Sequence, residues 1–364
     1  MLLLAGLVRK VQPVLSSAKI HVVHVTEAFG GGIQTAIAQY VQNSPWAKHT
    51  IIARARSGHD VGELDQFSNV SFVSAGDSVA QFLANAPELV NNVRADVIHL
   101  HSSIAGALRL HPKLRCRKVI YTPHCYSFER LDQPRLRRLL YRWFERICGY
   151  IPHVVAGVSE YEVAVARRIS SNARVELLPN VMPSSENVAG LLRDDETRTV
   201  ATVGRICAQK GPEIFAEGYL AFKRSGGPSD VSWIWVGDGD PELRALLETA
   251  GVLVLGWQSN ADVRAILRRS SLYVHTARWE GAPIAPLEAS VHGVPVMMQR
   301  TRTTGSLGYL TFDSALELGG IAARYFLDEA YKGEVSVFEA ERRADMDCGA
   351  QTAALSRLYA EVTV

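Results

Sequence analysis

The sequence predicts an α/β chain of two doubly wound parallel-sheet domains that face each other across a central cleft. Three observations carry this. Short apolar, β-branched runs alternate with helix-like stretches almost throughout, the pattern of strands buried on both faces. The series is interrupted once, by the polar stretch 184–198 (SSENVAGLLRDDETR), and then restarts. The length, 364 residues, suits about two domains, each able to bury its own core. The expected limits are 1–183 for the first domain, 184–348 for the second, and a C-terminal helix within 349–364 that packs back toward the first.

In chain order, Lys19–Thr26 (KIHVVHVT) reads as a strand, followed by Gly30-Gly31-Gly32 and a helical pattern over Ile33–Gln42. Thr50–Ala55, Val70–Val73, Ala95–His101, Lys118–Thr122 and His153–Val158 continue the strand series, and Leu177–Val181 closes the first unit. The second unit opens with Thr199–Val203 and continues with Val231–Val236, Gly251–Leu255, Leu272–Thr276 and Val294–Met298. Gln351–Val362 is helical by period. Ligands of such sheets sit beyond the carboxyl ends of strands, so the cleft between the units is the expected site.

Composition excludes several classes. Charged residues are 21% of the chain and apolar residues 47%, which is globular rather than disordered. The net charge of +2 carries no global nucleic-acid signature. Five scattered cysteines with no CxxC pair argue against a disulfide framework or a structural zinc site, and a reducing cytoplasm fits best. Met1–Val8 is apolar but precedes Arg9 and Lys10, the reverse of a signal peptide, and is too short to span a bilayer. Residues 1–18 read as a leader or a surface-lying segment.

Three clusters carry chemistry. Glu280 lies in a loop after a strand, and Glu288 on a helix that Pro283 or Pro286 can open and Gly293 can end. Both can face one ligand, although a loop glutamate and a solvated helix glutamate give the same pattern. Arg205 and Lys210 lie in the loop after the first strand of the second unit, where two cations would stabilise a departing diphosphate. Trp233–Val236 ends in the turn Gly237-Asp238-Gly239, and Leu255-Gly256-Trp257 ends another strand.

Together and in this order the clusters resemble the C-terminal domain of retaining GT-B glycosyltransferases, two Rossmann-like domains around a cleft. The resemblance is to family 4, also called glycosyltransferase group 1, and it spans roughly residues 19–360. It implies that Arg205 and Lys210 hold the diphosphate of a nucleotide-sugar donor, that Glu280 contacts the donor sugar, and that Glu288 contacts the ribose. The base would lie near Gly237 and along Gly256, Trp257 and Gln258. Gly31 and Gly32 resemble the family's glycine loop, and His124 in Thr122-Pro123-His124 its sugar-contacting histidine. Two departures stand out: Ala282-Pro283 replaces an aromatic-glycine pair, and an Arg-rich loop (Met297–Gly305) replaces a small, acidic one.

The expected activity is transfer of a hexosyl or similar sugar to a hydroxyl of a glycan or lipid-linked acceptor, in cell-surface polysaccharide or glycolipid synthesis. Catalytic roles fall to His124, Glu280, Arg205 and Lys210. No cofactor and no metal are expected, since no carboxylate pair or His/Cys cluster shows ligand spacing at a strand end. His99 and His101 share one strand face, but the sequence supplies no third ligand; His101 is expected to line the cleft and His99 to be buried. Rival readings are a nucleotide-sugar epimerase on the same fold and a non-catalytic sugar-nucleotide-binding subunit. Residues 109–146 hold eleven Arg or Lys against three acids, with apolar residues interleaved at helical spacing in Pro134–Cys148. That helix either docks on an anionic membrane, making the protein peripheral on the inner face, or packs its apolar stripe on the sheet.

Overall fold

The computed structural model describes residues 20–54, 64, 67–115, 117–181, 198–344 and 349–360. The expected leader, all of the expected linker but Arg198, the 183/184 boundary, Cys116 and Cys348 lie outside the described residues.

The first sheet contains β1 (His21–Thr26), β2 (Lys48–Ala53), β3 (Val70–Ser74), β4 (Val97–His101), β5 (Val119–Thr122), β6 (His153–Gly157) and β7 (Ala173–Leu177). Its order is β3-β2-β1-β4-β5-β6-β7, every pair parallel. The second contains β8 (Thr199–Val203), β9 (Ser232–Val236), β10 (Leu253–Val254), β11 (Leu272–His275), β12 (Val296–Gln299) and β13 (Leu310–Phe312). It runs β10-β9-β8-β11-β12-β13, again parallel throughout. The helices are α1 (Gly31–Gln42), α2 (Val79–Val93), α3 (Ser102–Gly106), α4 (Arg135–Cys148), α5 (Glu160–Ile169), α6 (Pro212–Arg224), α7 (Pro241–Ala250), α8 (Asn260–Arg269), α9 (Ile284–Val291), α10 (Ala315–Leu327), α11 (Glu329–Ala344) and α12 (Ala350–Ala360). These are two doubly wound sheets of the class expected from sequence.

Each sheet order reverses direction once, between β1 and β4 and between β8 and β11. At such a switch point the loops leave on opposite faces and open a crevice above the carboxyl ends of the strands. The glycine loop follows β1, and the Arg205–Lys210 and Glu280 loops follow β8 and β11. Topology alone therefore brings the sequence clusters to two crevice mouths.

Both faces of each sheet are covered by apolar side chains. Val23, Val25, Ile98, Leu100, Tyr121 and Val155 form one first-sheet core with Phe82 and Ala86 of α2. On the opposite face Val22, Val97, Ile120 and Ala156 pack with Tyr40 of α1 and with Ala354, Leu355, Leu358 and Tyr359 of α12. The C-terminal helix thus completes the core of the first sheet. In the second unit Trp233 and Trp235 pack on Phe215 and Phe222 of α6.

Two strands differ from expectation. β7 precedes the segment read as closing the first unit, and its sequence ARVEL is polar at alternate positions because it is an edge strand. β13 is three residues long and gave no periodic signal. α4 begins at Arg135, but Leu136, Leu139, Leu140 and Trp143 are all more than half exposed. Its inward face instead presents Glu145, which accepts from Arg109 Nη2 (2.7 Å) and Tyr121 Oη (2.9 Å). Packing of the apolar stripe on the sheet is thereby excluded.

Candidate active site

Lys210 and Glu280 form an ion pair, with side chains 25% and 12% exposed. Thr276 Oγ1 donates to the Lys210 carbonyl at 2.7 Å, and Thr303 Oγ1 to the Glu280 carbonyl at 2.8 Å, so both loops are pinned. Two residues assigned separate roles from sequence are therefore direct partners. Buried His275 lies 3.8 Å from Glu280 Oε1; burial, then the charge of Lys210, pushes its pKa well below the ordinary value and keeps it neutral. Arg205 is exposed and makes no ion pair with the described residues.

Pro283 caps α9, which carries Glu288 at its fifth position. Burial raises the Tyr273 phenol, and the charges of Glu288 and Glu280 add to the rise, so both carboxylates lie near one tyrosine. Gly237 N donates to Gly256 O at 2.9 Å, joining the turns after β9 and β10. Trp257, next in the chain, is 66% exposed. Of the Arg-rich loop, Arg300 pairs with Asp313 at 3.0 Å, while the hydroxyl of Tyr161 in the first half raises the pKa of Arg302.

In the first half, α1 begins at Gly31 with φ +54° and no side-chain cap. A Cβ on Gly31 or Gly32 would meet nothing within 4 Å, so this helix start presents bare backbone N–H groups to open space. His124 and Cys125 follow β5 with φ +50° and +84°, a costly backbone for non-glycine residues. Glu162 of α5 holds that turn by accepting from Cys125 N (2.6 Å) and Val158 N (3.0 Å). Gly281, beside Glu280, lies flat against the same turn. A Cβ there would sit 2.7 Å from Cys125 N and 3.0 Å from the His124 carbonyl carbon. Asn180 Nδ2 also donates to Ala282 O at 2.8 Å. The structure thus brings His124 of one half against the Lys210–Glu280 loop of the other.

Sequence reasoning missed Glu162, whose burial raises its pKa to about 7. It also missed Glu27, which accepts from Ser102 Oγ and from Ala105 N (3.1 Å) at the β1–β4 switch point. No local motif marks either residue, because Cys125 N for Glu162 and Ser102 and Ala105 for Glu27 are partners distant in sequence. His101 was expected to line the cleft; it is fully buried, because β4 is the central strand beside β1. His24, also unremarked, brings a ring nitrogen within 4.8 Å of those of His99 and His101, the third ligand that the sequence did not supply. All six ring nitrogens of this trio already have hydrogen-bond partners within the protein, so the geometry is that of a hydrogen-bonded cluster.

Two doubly wound parallel-sheet domains whose loops meet at the His124 turn have the architecture of GT-B glycosyltransferases. Residues 30–185 match the family model for glycosyltransferase family 4, and residues 197–309 that for glycosyl transferases group 1. The chain belongs to this family and is a glycosyltransferase. An uncharacterised 41.2 kDa protein of the cps region of Klebsiella pneumoniae is 28% identical over 302 residues, 76% of this chain and 80% of its own. The Escherichia coli UDP-Gal:alpha-D-GlcNAc-diphosphoundecaprenol alpha-1,3-galactosyltransferase is 26% identical over 254 residues, 63% of this chain and 64% of its own. The crystal structure of Anabaena HepE with UDP and glucose superposes with a TM-score of 0.71 at 15% identity, covering 94% of this chain and 98% of that one.

Proposed function

We propose that this enzyme transfers a hexosyl group, with retention, from a nucleotide-diphosphate sugar to a hydroxyl of a lipid-linked glycan, in the synthesis of a cell-surface polysaccharide or glycolipid. The observation that carries the reading is the Lys210–Glu280 pair packed against the His124 turn through Gly281. In this reading Lys210 is the cation for the leaving diphosphate, and Glu280 and His124 are the sugar contacts. The acceptor oxygen bonds to the anomeric carbon as the bond to the diphosphate breaks on the same face. The acceptor proton passes to the departing phosphate oxygen. Lys210 and exposed Arg205 stabilise the charge that develops there, which lowers the barrier rather than only tightening binding. The two cations supply that stabilisation without a metal. Gly31 and Gly32 offer backbone N–H groups to the donor, Glu288 the ribose contact, and the Gly237–Gly256 junction with Trp257 the platform for the base.

The lipid-linked acceptor is supported by α4. Leu136, Leu139, Leu140 and Trp143 recur at i, i+3, i+4 and i+7, forming one exposed apolar stripe. Arg135, Arg142 and Arg146 are exposed along the same helix. Among the described residues no helix is long and apolar enough to cross a membrane, so contact with the bilayer would be peripheral. The relative's donor and acceptor classes set the test. The purified protein is incubated with UDP-hexoses, with and without an undecaprenyl-diphosphate glycan, in excess EDTA. Nucleotide release only with acceptor, giving a product of the donor's anomeric configuration, is expected. An inverted product overturns retention, and loss of activity restored by a divalent ion overturns the metal-independent clamp. Sugar epimers without acceptor would mean an epimerase, and donor binding without turnover a binding subunit.

A further inference from the structure

Four histidines form a single hydrogen-bonded row behind the site. His124 Nε2 lies 3.0 Å from His101 Nδ1, His101 Nε2 lies 3.0 Å from His24 Nδ1, and His24 Nε2 lies 3.1 Å from His49 Nδ1. At the far end His49 Nε2 meets the Ser44 carbonyl and the Ser44 hydroxyl oxygen, each at 3.3 Å. That hydroxyl gives its own hydrogen to the Tyr40 carbonyl. His49 Nε2 therefore faces two acceptors and must carry the hydrogen.

The rest follows link by link. Burial pushes all four histidines well below their ordinary pKa, His49 to about 4 and His124 to about 3, so each ring is neutral near pH 7 and carries one hydrogen. With its hydrogen on Nε2, His49 accepts at Nδ1, so His24 donates from Nε2. His24 then accepts at Nδ1 from His101 Nε2, and His101 accepts at Nδ1 from His124 Nε2. Every ring in the row is the Nε2–H tautomer. Nδ1 of His124 is left as an acceptor with no partner among the described residues.

We propose that His49, His24 and His101 are positioning residues that act as a tautomer lock: their row, anchored by Ser44, holds His124 as the Nε2–H imidazole and keeps Nδ1 as an acceptor for a hydroxyl of the transferred sugar. The row is not a proton conduit. It ends on a backbone carbonyl at a fully buried serine, with no exit to solvent. Tyr40 stacks along it, its ring within 12–24° of those of His99, His101 and His124, and keeps the imidazoles in line. Hydrogen bonds in such a chain polarise one another, so donation at Nε2 makes Nδ1 of His124 a better acceptor. The sugar contact rests on the transferase reading above; the tautomer order does not.

The test separates the two. In the full chain labelled with 15N-histidine, long-range proton–nitrogen correlations at pH 7 should show His49, His24, His101 and His124 all protonated at Nε2 alone. An Nδ1–H or doubly protonated His124 overturns the lock whatever the enzyme does. His49→Leu removes the acceptor at the remote end and should release His124 into a mixture of tautomers. Turnover of the nucleotide sugar should fall roughly tenfold, about one hydrogen bond to the bound sugar, with affinity for the free nucleotide diphosphate unchanged. His49→Asn keeps an acceptor toward His24 and should restore both tautomer and turnover. Leu and Asn variants with equal loss, in turnover and in nucleotide affinity alike, would show a packing role and overturn the proposal. A correct tautomer order with no sugar transfer in any variant would overturn the transferase reading and leave the lock standing.

Discussion

At the scale of single residues, the site is held by contacts that tolerate little substitution. Lys210→Ala should lower turnover by roughly 100-fold, the scale for a lost charge-stabilising donor, and should leave Glu280 as an unpaired, mostly buried carboxylate. Steady-state kinetics at saturating acceptor decide it, and wild-type turnover would remove Lys210 from the clamp. Gly281→Ala makes a different prediction. Its new Cβ has no room against the Cys125 amide, so the two halves must separate locally. Turnover should collapse while the melting temperature changes little, because the strain is relieved by opening the halves rather than by unfolding either core. A fully active Gly281→Ala enzyme would mean that the two loops are not in contact during catalysis. Arg205 and Lys210 stood out in the sequence as candidates because they lie in a strand-end loop with a glycine on either side. Glu162 was not: its partners Cys125 N and Val158 N are backbone groups, and the first of them is brought near only by the parallel pairing of β5 and β6.

At the scale of elements, the central strands and the edge strands β3 and β10 were readable, and the edge strands β7 and β13 were not. β8 and β5 coincide with their expected spans to within a residue, since buried parallel strands read as near-continuous apolar and β-branched runs. β7 was missed because Arg174 and Glu176 interrupt its apolar positions, and β13 because three residues carry no period. Period alone could not orient α4, because an apolar stripe has the same spacing whether it faces a sheet or a bilayer. Its exposure in the folded chain now gives a definite expectation. The protein should co-sediment with phosphatidylglycerol vesicles at low salt and be released at 1 M salt, where screening shortens to ~3 Å. Replacing Arg135, Arg142 and Arg146 by Glu should abolish vesicle binding, at about 1 kcal/mol per charge near the surface, without changing donor affinity. Arg138 is left in place because its Nε donates to the Phe128 carbonyl at 2.8 Å. Unmodified protein that stays in the supernatant would make a soluble acceptor the better assignment.

At the scale of the whole molecule, the buried imidazoles set the response to acid. His24, His49, His99, His101, His124 and His275 are neutral in the folded chain because burial depresses their pKa values. Unfolded, each takes up a proton below about pH 6.5. The unfolded state therefore binds more protons as pH falls through 6.5, and stability present above that value is lost on acidification. Glu162 works the other way: its pKa of about 7 means that the folded chain keeps a proton that the unfolded chain has released above about pH 4.5. With His21 and His153 also depressed and Glu27 also raised, eight histidines outweigh two carboxylates among the described residues, so the urea midpoint should be lower at pH 5 than at pH 7. Equal midpoints would show that the histidine row admits protons without unfolding.

The placement of α12 has a consequence for how the chain is made. Leu355, Leu358 and Tyr359 close the core under β1, β4 and β5, and the Tyr359 hydroxyl lies 3.0 Å from His99 Nδ1. The first sheet emerges from the ribosome early but waits for these residues until the entire second unit has been translated. Until then a strip of Val22, Val97 and Ile120 remains open to solvent or to whatever shields nascent chains. A ribosome stalled before α12 should hold a first unit that proteases cut readily, and release of the remaining residues should close it.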